Sequence, residues 1–221
     1  MLSPGDRRPI AARRLAPSIW VADRLVRAEA SPNAISLAGL AAALLAGLSF
    51  AMVAQWPEAA RPFWLLGAVL VPLRLLANML DGMVAVGRGI TSAVGELFNE
   101  VPDRISDTAV LLGAGVAAGR GGVALGLTAA LAAVATAYVR AVGKAAGGPS
   151  DFSGPMAKQQ RMALVTALAV WCAVAPTPWG TGSALPAVVL WVVIVGSVAT
   201  AANRLRHIAT ALRATERRAV R

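Results

Sequence analysis

Apolar residues fall in six long stretches, at about 34–54, 63–80, 97–118, 123–142, 162–175 and 185–202. A helix needs about 20 apolar residues to cross a hydrocarbon core of about 30 Å. The pattern therefore predicts six transmembrane helices and an all-α integral membrane fold. Ahead of them, residues 13–30 have a helical amphipathic period. Leu15, Ile19, Ala22 and Val26 fall on one face, Arg13, Arg24 and Arg27 on the other, and Trp20 at the side. This predicts a helix lying in the headgroup plane. Ser31-Pro32-Asn33 then reads as a helix start. The chain divides into an interfacial segment at 1–33, a six-helix transmembrane domain at 34–203 and a basic tail at 204–221.

Composition sharpens this picture. Only 14% of the 221 residues are charged and 57% are apolar, against about a quarter charged in ordinary soluble domains. Six arginines precede the first stretch and six follow the last, with Arg88, Lys144, Lys158 and Arg161 in the connections on the same side. The opposite connections hold only Arg61 and Arg120. The positive-inside rule then places both termini in the cytoplasm, in a multi-pass cell-membrane protein. Trp56, Trp64 and Trp179 would lie near the outer interface. The net charge of +10 is read as topology and contact with anionic membrane lipids rather than nucleic-acid binding. Cys172 stands alone, so no intrachain disulfide forms. His207, the sole histidine, gives no metal or triad signal. The first 33 residues carry no apolar core of the kind a cleavable leader has.

Five of the eleven carboxylates fall between residues 81 and 107: Asp81, Glu96, Glu100, Asp103 and Asp107. Ionised groups near a membrane interior cost several kcal/mol unless paired or ion-bound. Arg74, Asn78 and Asp81 share one helical face at the end of the second stretch. Glu96, Asn99, Asp103 and Asp107 share one at the start of the third. Gly82, Gly87, Gly89 and Gly95 lie between. Carboxylate and amide oxygens without cysteine or histidine suit Mg²⁺, Mn²⁺ or Ca²⁺ rather than zinc. The alternative is an ion-paired junction in which Arg74, Arg88 and Arg104 neutralise these acids without a ligand.

At these residues the sequence resembles the CDP-alcohol phosphotransferase family. The family pattern Asp-x2-Asp-Gly-x2-Ala-Arg-x8-Gly-x3-Asp-x3-Asp appears with every spacing kept. Here it reads Asn78-x2-Asp81-Gly82-x2-Ala85-Val86-x8-Gly95-x3-Asn99-x3-Asp103. Ser31-Pro32-Asn33-Ala34-Ile35-Ser36 is similar to the family's opening signature, and an in-plane helix before six spans is its architecture. The resemblance implies a divalent-metal-dependent enzyme, with Mg²⁺ or Mn²⁺ neutralising the diphosphate of a CDP-linked donor. An alcohol attacks the β-phosphorus and CMP leaves. Asp81, Asn78, Asn99 and Asp103 take the metal-ligand positions, and Asp103 is also the base. Gly82, Ala85 and Gly95 line the nucleotide, and a homodimer is implied. Asn78, Asn99 and Val86 depart from the pattern. The two amides remove two negative charges, which Glu96, or less directly Glu100, would partly restore. Arg88 stands two residues from the missing arginine. The expected site holds one firm metal, with any second ion brought by the diphosphate.

Lys158 and Arg161, one helical turn apart, and Arg140 and Lys144, a second such pair, suit an acceptor phosphate. Their alternative role is setting topology. The leading reading is transfer of a phosphatidyl group from CDP-diacylglycerol to a polar, phosphorylated or plain, alcohol. Val86 and the asparagines favour a second reading, a catalytically silent member that binds CDP-lipid or a partner protein. A small transporter fits less well, because the polar faces lie at the helix ends rather than near mid-bilayer.

Overall fold

The computed structural model describes residues 11–90, 93–176, 180 and 183–219. Among them the regular elements are helices: α1 (Ala16–Arg27), α2 (Pro32–Gln55), α3 (Ala60–Gly87), α4 (Ala93–Ala117), α5 (Gly122–Ala145), α6 (Lys158–Val174) and α7 (Leu185–Ala219). Local chemistry sets several boundaries. The Ala34 amide donates to the Ser31 hydroxyl at 3.4 Å, and Pro32 occupies the first turn, a proline-compatible position. At the far end of α3, Gly89 takes φ +66°. The Gly89 and Ile90 amides then donate back to the Val86 and Ala85 carbonyls, a glycine-dependent helix stop.

Among the described residues four helices are long and apolar enough to cross a membrane: α2, α3 with the short turn before it, α5 and α7. The remaining two expected spans, α4 and α6, differ for physical reasons. The first half of α4 carries Glu100, Asp103, Arg104 and Asp107, and α6 has 17 residues with Lys158 and Arg161 in its first turn. α2 packs on α3 and α4, α3 on α6, α4 on α5, and α5 and α6 on α7, which closes a ring. The apolar core lies inside it, around Phe50, Trp64, Leu111, Val165 and Leu190. α2 and α4 cross so closely that a Cβ on Gly47 or Gly113 would overlap backbone of the other helix. Small residues at crossings are how apolar helices associate without a hydrophobic drive between them. Outward-facing Leu45, Leu65, Val69, Leu131, Val174 and Val195 are exposed, while Arg74, Asp81, Asp103, Asp107, Lys158 and Arg161 are buried. Apolar outside with ion pairs inside is the distribution a hydrocarbon surround favours.

Some expectations are refined. α1 packs on α3 through Ala22, against Met79 and Leu80, while Leu15, Ile19 and Trp20 stay exposed. The predicted apolar face is thus divided between protein contact and an open side. Trp64 is fully buried against Phe50, with ring centroids 5.1 Å apart, so it belongs to the core rather than to an interface belt. Trp56 is exposed, and Trp179 lies outside the described residues. The basic tail is continuous with α7, which runs unbroken to Ala219.

Candidate active site

The charged residues converge where the end of α3 meets the starts of α4 and α6. One helical period places Arg74, Asn78 and Asp81 on the inner side of α3. The Ser36 hydroxyl of α2 donates to Asp81 Oδ2 at 2.5 Å. Asp81 Oδ1 is buried and receives no hydrogen bond. Asn78 Nδ2 donates to Asn99 Oδ1 at 2.5 Å, so the two amides of the motif face each other across the helix pair.

Asp103 is the most heavily engaged group. It accepts from Arg74 Nη2, and Lys158 Nζ stands 2.6 Å from its Oδ1. Arg104 lies 3.5 Å from its Oδ2. Lys158 also donates to Asn78 Oδ1 at 3.2 Å, and Arg74 Nε donates to the Ser106 hydroxyl at 2.8 Å. One turn deeper, Arg161 Nη2 pairs with Asp107 Oδ2 at 2.7 Å, both essentially inaccessible. Pro102 precedes Asp103 inside α4; having no amide proton, it leaves the Phe98 carbonyl without its helical donor.

The structure brings together Asn78, Asp81, Asn99, Asp103 and Lys158. Arg161 sits immediately below them. Gly82 and Ala85 follow on α3, half-buried, and Gly95 is in the first turn of α4. Arg140 lies to the side, donating to Glu100 Oε1 at 2.6 Å and covering the Phe152 ring. Lys144 is one turn further along α5. Glu100 therefore faces Arg140 and Arg104 rather than Asn99. The Glu96 side chain lies outside the described residues. Arg88 does not join the site: its Nη1 donates to the Glu29 and Ala30 carbonyls at 2.8 and 2.9 Å, tying the α1–α2 turn to α3.

The motif side chains Asn78, Asp81, Asn99 and Asp103 offer oxygen as their metal-ligating atoms. Asp81 keeps one orphaned, buried carboxylate oxygen, while the amide oxygens of Asn99 and Asn78 accept from Asn78 Nδ2 and Lys158; freed of those bonds, such an oxygen set suits one hard divalent cation. Among the described residues no three acidic, histidine or cysteine side chains form a metal-binding group. Lys158 and Arg74 hold the Asp103 side of the pocket instead.

Sequence reasoning missed several contributors. Ser36 was read only as part of the stretch similar to the family's opening signature, and no spacing tied it to Asp81, 45 residues away. Arg13 Nη2 stands 3.8 Å from where a Cβ on Gly82 would sit. Arg204 is buried, donating to the Ser153 and Thr136 carbonyls at 2.9 and 2.8 Å. That strap holds the α5–α6 connection on α7, helped by the Met156 amide donating to Thr200 Oγ1 at 2.9 Å. Asp151 in the same connection lies 3.1 Å from His207 Nδ1. Partial burial alone would raise its pKa, but hydrogen bonds from Ser153 and the His207 contact outweigh that and lower it.

No family model matches the chain. Over 208 residues it is 30% identical to the phosphatidylinositol phosphate synthase of Mycolicibacterium smegmatis, covering 89% of this chain and 85% of that protein. The enzyme of the same name from Mycobacteroides abscessus is 28% identical over 195 residues, 86% of this chain and 82% of the relative. Among solved structures, the Mycobacterium tuberculosis phosphatidylinositol phosphate synthase with manganese and citrate superposes with a TM-score of 0.72 at 26% identity. That match covers 87% of this chain and 89% of the other. The same protein with CDP-DAG bound gives 0.70, over 86% and 92%.

Proposed function

The chain belongs to the CDP-alcohol phosphatidyltransferase family, and from that premise we propose that its reaction takes place where α3, α4 and α6 converge. The protein is a transferase of phospholipid synthesis that moves a phosphatidyl group from CDP-diacylglycerol to a polar alcohol and releases CMP. Its cofactor is Mg²⁺ or Mn²⁺. The product of the named relatives points to inositol phosphate as acceptor. The observation that carries this reading is the buried Asp103, retained at full motif spacing, with Lys158 directly beside it.

In this mechanism Asp103 takes the acceptor's hydroxyl proton as the alcohol oxygen bonds to the β-phosphorus. The bond from that phosphorus to the oxygen leaving with CMP breaks. Asp81, through its free Oδ1, with Asn78, Asn99 and Asp103, would hold the metal, and Glu96 is a further ligand candidate. When bound, the ion supplies positive charge to the diphosphate. Gly82, Ala85 and Gly95 leave room for the nucleotide. Lys158 grips the acceptor phosphate, Arg161, held on Asp107 one turn deeper, adds positive charge behind it, and Arg140 and Lys144 stand at the flank. Lys158 already touches Asp103, so an acceptor phosphate drawn to its ammonium brings the hydroxyl to the base.

We read α4 and α6 as further spans, because α6 joins α3 to α7 and α4 joins α5 to α2, closing the apolar pairs α2–α3 and α5–α7 into one ring. The arginine distribution supports cytoplasmic termini and a cytoplasm-facing site. Leu15, Ile19 and Trp20, exposed on α1 beside Arg24, support a headgroup-plane helix. The family resemblance implies a homodimer.

The test is CMP release from CDP-diacylglycerol by the full chain in detergent, with Mg²⁺ or Mn²⁺ and a panel of alcohols: inositol phosphate, glycerol phosphate, inositol and serine. Release that needs a phosphorylated alcohol, with a raised acceptor KM in Lys158→Ala, is the expected result. Equal use of inositol and inositol phosphate, or an unchanged KM in that variant, would remove the phosphate-gripping role.

A further inference from the structure

The buried charges of the site already balance one another; Arg104, which also approaches Asp103, is a quarter exposed and shared with Glu100. Two buried carboxylates, Asp81 and Asp103, face two buried cations, Arg74 and Lys158. The other two motif positions are neutral amides bonded to each other. Arg74 is fixed on both sides, to Asp103 and to the Ser106 hydroxyl. A salt-bridged guanidinium at only 3% exposure cannot swing into water when another cation arrives. Two divalent ions placed here without substrate would leave four uncompensated positive charges in a bundle interior, which that environment penalises strongly. One ion accompanied by the two negative charges of a diphosphate restores balance. Asp81 Oδ1, buried without a donor, marks where that one ion is received.

We propose that Arg74 is a resident cation standing where a second divalent ion would otherwise balance Asp103. The free protein therefore holds at most one divalent cation, weakly, and takes it up together with the diphosphate of its donor. This rests on the reading of the pocket as a CDP-lipid site. The role of Arg74 is to fix Asp103 and to set how many metals the site accepts. Metal and nucleotide are then positively coupled, and by reciprocity each tightens the other by the same factor.

Mn²⁺ binding to the purified full chain in detergent, followed by the paramagnetic resonance of the free ion with and without CDP, tests this. Wild type should bind no more than one Mn²⁺ per chain, with CDP tightening it by about tenfold or more. Arg74→Met should bind Mn²⁺ about tenfold more tightly without CDP, and Arg74→Lys should behave as wild type. Two tight Mn²⁺ ions on CDP-free wild type would overturn the proposal even if Arg74→Met does not fold. So would a folded Arg74→Met with unchanged Mn²⁺ affinity. Both results leave the transferase reading intact if CMP is still released. Wild type that binds neither Mn²⁺ nor CDP and releases no CMP would remove that reading and the proposal with it.

Discussion

α4 has two halves that are held by opposite physics. Its first half, through Asp107, is fixed by ion pairs to Arg74, Lys158, Arg140 and Arg161. Its second half is fixed by backbone contact, with Gly113 against Gly47 of α2 and Gly115 against Gly122 and Gly126 of α5. The first half keeps charges in place in an apolar surround, and the second brings helices together by removing side chains. The difference teaches that substitutions in the two halves fail in different ways. Those near Asp103 are expected to change what the proposed site binds and does, while those near Gly113 are expected to change whether the bundle closes.

The largest expected effect is on turnover. Asp103→Asn preserves shape but removes the proposed base, and CMP release should fall about 10²–10⁴-fold while CDP-diacylglycerol binding persists. Arg161→Met comes next and sharpens the boundary between the halves. It leaves Asp107 buried without its cation, a loss of about 3–5 kcal/mol, read as a lower unfolding midpoint in detergent. Gly113→Ala should cost about 1–3 kcal/mol by overpacking, with CMP release per folded molecule unchanged. If it lowered turnover without lowering stability, the separation of the two halves would break down. The smallest effect lies at the edge of the charged region. Because folding lowers the Asp151 pKa, its contacts stabilise the fold above the unfolded carboxylate range. That contribution is lost as pH falls through the lower folded value. Proteolysis of the α5–α6 connection should therefore rise on acidification, and Asp151→Asn should abolish the change.

Much of the helical layout was legible because hydrophobic run length is a local property. α2 and α5 emerge almost where the apolar stretches predict them, while α3 and α7 start there and run on past the apolar ends. The shared faces of Arg74 with Asp81, and of Asn99 with Asp103, were also legible, since each lies on one helix. Partner choice across helices was not. Lys158 and Arg161 read as a matched pair, yet one turns to Asp103 and the other to Asp107. Arg88 stood close in sequence to the missing arginine, but its guanidinium donates to the Glu29 and Ala30 carbonyls of the α1–α2 turn. The junction expected as an alternative to a ligand site is partly present: Arg74 and Arg104 approach Asp103, and Arg88 does not. Non-local contacts such as Ser36 with Asp81, or His207 with Asp151, leave no periodic trace in the chain.

The most direct test of the account compares wild type with Asp103→Asn. CMP release from CDP-diacylglycerol is followed with inositol phosphate and Mn²⁺, and binding of the donor is measured on the same samples. The account predicts metal-dependent release by wild type, and retained donor binding with release reduced at least a hundredfold in the variant. Donor binding without release in wild type, or equal release by both proteins, would contradict it.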